Sequence, residues 1–326
     1  MTLTLDGLVT KAQSGFFTVA TPRGEFVCRI PKRLKYHLRH EQQTQERPIS
    51  NIVTVGDRVT LIVTDEQAAT GSIQAVAPRE RVLSRTRPTA HDVRNLSQDR
   101  EQVLLANPDQ VVLVFAVAEP TPSLRKLDRF LVIAEMNTLP AIVCVNKVDL
   151  VEAETARQMF AVYADIGYRV IYTSAKRGDG LEELREALRG KISVLSGSSG
   201  VGKSSLLNAI EPGLGLRVNA VSAATAKGLH TTRHTELIPL AVGGYVADTP
   251  GIRTLALFNV DPQELDGYYR EIAPLVAECQ YSDCSHTHEA NCAVRAAVAA
   301  GKISAERFNS YLRLREEHDW LDESAY

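Results

Sequence analysis

Two clusters in this sequence have residue types and spacings that can do chemistry. The first is Gly197-Ser198-Ser199-Gly200-Val201-Gly202-Lys203-Ser204, flanked by the apolar run Ile192 to Leu195 and the helix-like run Ser205 to Ile210. Glycines let the backbone bend so that several N–H groups converge on phosphate oxygens, and the helix that follows adds its positive end. In such a loop Lys203 reaches the β- and γ-phosphates, and the Ser204 hydroxyl ligates Mg²⁺. The bland alternative is a glycine-rich turn that binds nothing; a strand before and a helix after argue for the phosphate loop, and Gly197 through Ser205 are taken as nucleotide contacts. The second cluster, Cys279-x₄-Cys284-x-His286-x₅-Cys292, offers three thiolates and an imidazole, the soft donor set Zn²⁺ takes in closed tetrahedral sites. His288 is also near, and spacing alone does not separate the two histidines; we take His286 as the ligand and His288 as an outer or surface residue.

Three shorter motifs end strand-like runs. In Asn146-Lys147-Val148-Asp149, an ionised Asp149 can accept two hydrogen bonds from the N1–H and exocyclic amine of guanine, whereas adenine would leave the carboxylate unpaired. Asn146 is expected to brace the neighbouring loop and Lys147 to lie along the base plane. Ser174-Ala175-Lys176 places a backbone N–H for the guanine carbonyl oxygen. Asp248-Thr249-Pro250-Gly251 places Asp248 to hold Mg²⁺ through water and the Gly251 N–H to sense the γ-phosphate. Each pattern alone can be an ordinary polar turn; together on one sheet they reinforce one another.

Residues 211–234 are rich in small side chains, as expected for a switch segment ordered by nucleotide. Thr231 or Thr232 can supply the second hydroxyl to Mg²⁺; Thr231 is assigned that role and Thr232 a nucleotide contact. Ile252 stands where a Ras-type enzyme has its water-positioning glutamine, and an isoleucine cannot orient water. His230 is therefore expected to position the attacking water, unless it only caps the loop. Catalysis is assigned to His230, Lys203 and Thr231.

The elements that must position these residues follow from the texture of the chain. From Val103 onward, apolar runs alternate with amphipathic helices: Val111 to Ala118, Leu124 to Asn137, Ala141 to Val145, Ala153 to Ile166, Val170 to Thr173 and Leu181 to Leu188. The strand into the phosphate loop, Thr235 to Leu240 and Tyr245 to Ala247 complete a parallel, doubly wound sheet with ligands at the strand carboxyl ends. Before it, short alternating segments at Gly15 to Ala20, Gly24 to Ile30, Asp57 to Val63 and Ser72 to Ala77, with no convincing helix, predict a five-stranded oligonucleotide-binding (OB) barrel. Arg29 to His40 carries five cations, no acid and Tyr36, fit for an RNA-contacting face or for a solvated loop. Residues 41–51 read as polar and mobile, and 84–100 as a polar connection. After the cysteine cluster, Ala293 to Ala300 and Ser304 to Trp320 read as helices, the second with Arg307, Arg313 and Arg315 on a docking, RNA-facing or solvated face. The expected fold is thus an OB barrel (1–84), a central α/β GTPase domain (85–256) and a mainly α zinc-binding domain (257–326).

Composition sets limits. With 326 residues, a formal net charge of −2 and a pI near 6.5, the molecule is not cationic overall, so contact with nucleic acid must come from local patches. No apolar run is long enough to cross a bilayer, and the start lacks a signal-peptide pattern, so a cytoplasmic protein that avoids membranes is expected. Five cysteines, three of them within fourteen residues, favour a metal site over disulfides, and Cys28 and Cys144 read as core.

The order NKVD, SAK, GSSGVGKS, DTPG is a circular permutation of the usual GTPase order, tolerable because sheet neighbours can be kept while chain ends move. Joined to a barrel-like N-terminal domain and the terminal Cys-x₄-Cys-x-His-x₅-Cys, it resembles the RsgA (YjeQ) family of small-ribosomal-subunit biogenesis GTPases over essentially the whole chain. The resemblance implies a monomer that binds the immature 30S subunit, contacts 16S rRNA through its flanking domains, hydrolyses GTP faster on the subunit than alone, and then leaves. Gly228-Leu229-His230-Thr231-Thr232 looks like the family's switch, in which a histidine before the threonines is implicated in hydrolysis; Arg233 stands where a third threonine is often found. The competing readings are a GTPase acting outside ribosome assembly and an RNA-binding module whose nucleotide is purely structural.

Overall fold

A computed structural model describes residues 3–43, 51–86, 101–215, 235–248 and 262–323. In chain order the elements are β1 (Thr4–Gln13), β2 (Phe16–Thr21), β3 (Gly24–Arg29), α1 (Lys32–Gln43), β4 (Arg58–Asp65), β5 (Thr70–Val76), β6 (Val82–Thr86) and β7 (Glu101–Ala106). They continue with β8 (Gln110–Ala116), α2 (Leu124–Met136), β9 (Ala141–Asn146), α3 (Ala153–Asp165), β10 (Arg169–Thr173), α4 (Leu181–Leu188), β11 (Ile192–Ser196) and α5 (Lys203–Ile210). The last are β12 (Glu236–Pro239), β13 (Tyr245–Asp248), α6 (Ala293–Ala299) and α7 (Ala305–Glu323). Packing divides the chain into two compact units: Met1–Val111 with Leu184–Ser196 and Val221–Leu255, and Val112–Glu183 with Gly197–Ala220 and Ala256–Tyr326. Among the described residues no helix is long and apolar enough to cross a membrane.

In the first unit, β1-β2-β3-β5-β4 form an OB-like barrel, closed where β1 pairs antiparallel with β4 from Thr4↔Ile62 to Leu8↔Arg58. Closure removes free edges, and the alternating strands send Val9, Val19, Phe26, Cys28, Leu61 and Ile73 into one core. Cys28 is a core residue whose thiol burial pushes up to about 11. Gly56 is where the barrel meets β7: its φ is +88°, and a Cβ there would stand 1.9 Å from the Ala106 carbonyl oxygen. The turn is fixed by Arg79, which donates to both carboxylate oxygens of the buried Asp57 at 2.7 and 2.8 Å.

Three features here differ from the sequence expectation. The basic stretch is not a loop: Lys32–Gln43 is the helix α1, with Leu34 packed against the barrel core and Lys32, Arg33, Lys35, Tyr36 and His37 exposed. The helix is strongly polar overall, which makes its sequence look like a solvated loop. The polar connection also begins later than expected, because residues 84–86 belong to the hairpin strand β6, paired with β7. Alternation of polar residues around Leu83, Val103 and Leu105 carries that hairpin, and those three side chains are buried. Beyond the barrel, β1 also pairs with β12 at Lys11↔Glu236, β12 runs antiparallel to β13, and β13 runs parallel to β11. The segment read as another parallel strand is therefore an antiparallel one.

In the second unit, β9 and β10 are parallel in register from Arg169↔Ile142 to Thr173↔Asn146. Apart from Gln110 and Asn146 at their ends, β8 and β9 are apolar, and both are buried along their whole length, as strands covered on both faces must be. Helix α2 starts at the N-cap Ser123 and buries Leu127, Phe130, Leu131 and Ile133. Cys144 lies in β9, fully buried, with its thiol pushed up to about 12 by burial. After short 3₁₀ turns come α6 and α7, and Arg307 of α7 is not on a solvated or RNA-facing surface. It is 2% exposed and donates to Asp128 of α2 at 2.6 Å and to Glu271 at 2.7 and 3.1 Å. Arg315 is turned inward to the Pro262 carbonyl, and Arg313 is exposed.

Candidate nucleotide site and metal centre

The glycine loop leaves β11 with the backbone geometry its sequence demands. Gly197 has φ +150°, and a Cβ there would lie 2.2 Å from the Val114 carbonyl oxygen; Gly202 has φ +94°, and a Cβ there would meet Asn146 Nδ2 at 2.3 Å. Only glycine tolerates both the dihedrals and the proximity. Gly202 is also the N-cap of α5, so Lys203, Ser204 and Ser205 occupy the first turn of that helix. Lys203 folds back over the loop, its Nζ donating to the carbonyls of Gly197 at 2.8 Å and Ser198 at 2.7 Å. Lys126, at the start of α2, reaches the Ser198 hydroxyl at 3.4 Å. Ser199, Gly200 and Val201 complete the loop.

Asn146 closes β9, 1% exposed, and its Nδ2 donates to the Val201 carbonyl at 2.8 Å while Thr173 Oγ1 donates to its Oδ1 at 3.2 Å. The β9–β10 register that sets Thr173 opposite Asn146 thereby fixes the amide, and the amide fixes the loop. Lys147 is left-handed (φ +63°), with its Nζ on the Glu119 carbonyl. Val148 and Asp149 then enter a 3₁₀ turn. Asp149 Oδ1 accepts from the buried Ser174 hydroxyl at 2.6 Å. That bond, assisted by the nearby Lys176 and Arg177 charges, holds the Asp149 carboxyl below its ordinary value against a smaller opposing effect of burial. Ser174 Oγ also accepts the Arg177 N–H at 3.1 Å, which shapes the turn carrying Ala175 and Lys176. The structure thus brings Asn146, Asp149, Ser174 and the phosphate loop together. Asp248 ends β13; His230, Thr231, Thr232 and Gly251 lie outside the described residues. Thr173 and Lys126 escaped the sequence reading. Neither belongs to a motif, and only strand register or the packing of α2 reveals them.

In the cysteine cluster, the ligand atoms of Cys279, Cys284, His286 and Cys292 all lie within 4.8 Å of one another. A tetrahedron with Zn–S near 2.3 Å and Zn–N near 2.0 Å has S···S edges of about 3.8 Å and S···N edges of about 3.6 Å. Cys279 and Cys292 are 3.9 Å apart, and His286 Nδ1 is 3.6 and 3.3 Å from their sulfurs, so the donor set fits zinc in size as in chemistry. His286 is fully buried, whereas His288 is exposed and bonded to the Thr287 hydroxyl. Burial pushes the Cys284 thiol up to about 12; for Cys292, burial is outweighed by the Arg295 N–H and His286, which leave it below the ordinary thiol value. A residue outside the cluster, Asp266, has its Oδ2 within hydrogen-bond distance of His286 Nε2, at 3.1 Å.

An OB-like barrel, a glycine loop between strand and helix, a serine-bonded carboxylate upstream of it in sequence and a terminal Cys/His cluster define a P-loop GTP hydrolase with permuted motif order. The chain belongs to the RsgA GTPase family, whose model matches residues 76–258. It is 43% identical over 317 residues to the small ribosomal subunit biogenesis GTPase RsgA of Gemmatimonas aurantiaca, covering 97% of this chain and 98% of that relative. The protein of the same name from Chlorobaculum parvum is 41% identical over 323 residues, covering 98% of this chain and all of the relative (100%). Among solved structures, YjeQ from Thermotoga maritima superposes with a TM-score of 0.76 at 34% identity, covering 97% of this chain and 98% of that one. YloQ, described as a circularly permuted GTPase, gives 0.71 at 30% identity, with coverage of 97% and 95%.

Proposed function

We propose that this GTPase binds the small (30S) ribosomal subunit late in its maturation, contacts 16S rRNA through its barrel and zinc domains, hydrolyses GTP faster there than alone, and then dissociates. The observation that carries the reading is near full-length similarity to relatives named for small-subunit biogenesis. The exposed cations and Tyr36 on α1 add a surface suited to RNA phosphates and bases. The protein acts as a cytoplasmic monomer, with domains at 1–84, 85–256 and 257–326. Asp149 reads guanine, the Ser174-Ala175-Lys176 turn meets its carbonyl, and Asn146 holds the phosphate loop. Lys203 leaves its loop carbonyls for the phosphates. Ser204, Thr231 and Asp248 would hold Mg²⁺, which would offset the charge of the phosphates. Thr232 and Gly251 join the nucleotide contacts, and His230 orients the attacking water. Cys279, Cys284, His286 Nδ1 and Cys292 would hold one zinc, whose contribution is a structural cross-link.

The deciding experiment is GTP turnover with and without purified 30S subunits, together with co-sedimentation under GDP and a non-hydrolysable GTP analogue. Subunit-stimulated turnover and analogue-dependent co-sedimentation are expected. Turnover indifferent to subunits would place the enzyme outside ribosome assembly, and no turnover in either condition would make the nucleotide structural. His230→Ala should lose turnover while keeping GTP affinity; full turnover at unchanged affinity removes His230 from the mechanism.

A further inference from the structure

Asp266 lies in the 3₁₀ turn Leu265–Tyr268, well before the first cysteine of the cluster, and no motif points to it. Its Oδ2 stands 3.1 Å from His286 Nε2, and the side chains are 13% and 0% exposed. The other ring nitrogen, Nδ1, faces the Cys279 and Cys292 sulfurs at 3.6 and 3.3 Å. The two nitrogens of one imidazole are thus committed to different partners, the carboxylate on one side and the thiols on the other.

We infer that Asp266 is the positioning residue of the zinc centre: it accepts the Nε2–H of His286 and so fixes the ring as an Nδ1 metal ligand. The inference rests on reading the cluster as a zinc site. A neutral imidazole has one donor and one acceptor nitrogen, and a buried carboxylate facing Nε2 places the proton there. That leaves the Nδ1 lone pair directed at the metal and makes the nitrogen more basic, which strengthens the bond. The surroundings favour this over a casual hydrogen bond. His286 has φ +61°, a backbone conformation few residues adopt without cause, and its ring packs 6.1 Å from the Tyr311 ring, which limits its rotation. Because Asp266 comes from outside the Cys-x₄-Cys-x-His-x₅-Cys run, the metal joins this separate turn to the cysteine loop.

The test uses the full-length protein, with Zn²⁺ affinity measured by competition against a chromophoric chelator and ¹⁵N-histidine spectra recorded for the zinc-loaded form. Wild type should bind one zinc, with the His286 proton on Nε2 and the metal on Nδ1. Asp266→Ala should bind zinc about 10- to 100-fold more weakly. Asp266→Asn, whose amide oxygen still accepts the Nε2–H without the charge, should lose less. Cobalt-substituted Asp266→Ala should show altered d–d bands, which a purely structural role for the carboxylate would leave unchanged. Wild-type affinity and unchanged spectra in Asp266→Ala would overturn the inference while leaving the zinc site intact. Failure of wild type to bind zinc would instead overturn the reading of the cluster itself. Should Asp266→Ala fail to fold, the wild-type spectrum decides: metal on Nε2 refutes the inference.

Discussion

If Asp149 reads guanine as proposed, Asp149 and Ser174 act as a pair. The Ser174 hydroxyl donates to the carboxylate at 2.6 Å and leads the causes that depress its pKa, so Asp149 stays ionised as pH falls through the ordinary carboxylate value of 3.8. Because the bound form needs the anion, affinity for GTP is fully present above that value and is lost only as pH falls through the lower one. Ser174→Ala should therefore weaken GTP binding about 5- to 20-fold at neutral pH, on the scale of one hydrogen bond to a charge. It should also move the acid-side loss of affinity to higher pH, as titration with a fluorescent GTP analogue at stepped pH would show; a superimposable profile would mean the serine does not tune the carboxylate. Asp149→Asn should exchange guanine for xanthine preference by roughly two orders of magnitude, since two donors would face an amide that offers only one acceptor. Gly202→Ala forces a Cβ to within 2.3 Å of Asn146 Nδ2 at φ +94° and should abolish measurable nucleotide binding while the zinc centre still loads. At this scale the motifs that the fold brings together, Asn146, Asp149, Ser174 and the glycine loop, were legible, because the proposed phosphate and guanine contacts would dictate residue types at Gly202, Lys203 and Asp149. Thr173 and Asp266 were not legible, because a hydroxyl or carboxylate acquires its role only from what stands opposite it in the fold.

Helix α7 shows what periodicity can and cannot tell. Its existence was plain from the sequence, but a helix carrying Arg307, Arg313 and Arg315 gives no sign of which arginine is buried. Arg307 is, because two carboxylates on other elements, Asp128 (4% exposed) and Glu271 (7%), meet it, and its guanidinium lies 4.7 Å from the Tyr269 ring centroid. Tyr163 donates to Asp128 at 2.8 Å and completes the shell. At the other end of the helix, Glu317 pairs with Arg125 and Arg129 of α2, but these side chains are about 40% exposed, and such pairs contribute about 0–1 kcal/mol. Removing Arg307 leaves two buried carboxylates without their cation, a loss of about 3–5 kcal/mol. In urea unfolding, Arg307→Ala should therefore shift the midpoint far more than Glu317→Ala; equal shifts would show that the buried triad is no better than a surface pair. Helix α1 illustrates the converse. It is strongly polar overall and so was not announced by an apolar run, yet Leu34 packs against the barrel core, and the closed barrel supplies the surface that seats it.

The permuted motif order was readable from spacing alone, whereas the way the barrel joins the sheet was not. Strand β12 begins at Glu236, five residues after Thr231, and it pairs with barrel strand β1 at Lys11↔Glu236, reinforced by a 3.1 Å ion pair between those side chains. No local pattern announces a pairing between residues so far apart in sequence. Its consequence is mechanical. If Thr231 is tied to Mg²⁺ and the γ-phosphate as proposed, the start of β12 is held in the GTP state and released after hydrolysis. A tethered strand opens less often, and its ladder partner shares the protection. Amide hydrogens of β1 near Lys11 and of β12 should then exchange about threefold or more slowly with a non-hydrolysable GTP analogue than with GDP. The central barrel strands β3 and β5, which do not pair with β12, should be unchanged and serve as the internal reference. Thr231→Ala should remove the difference without altering the GDP state. Uniform exchange in both nucleotide states would break the link between switch and barrel, and with it the idea that the barrel senses hydrolysis through this strand pair. A difference confined to β12 and β1 would instead locate the route by which γ-phosphate loss reaches the barrel.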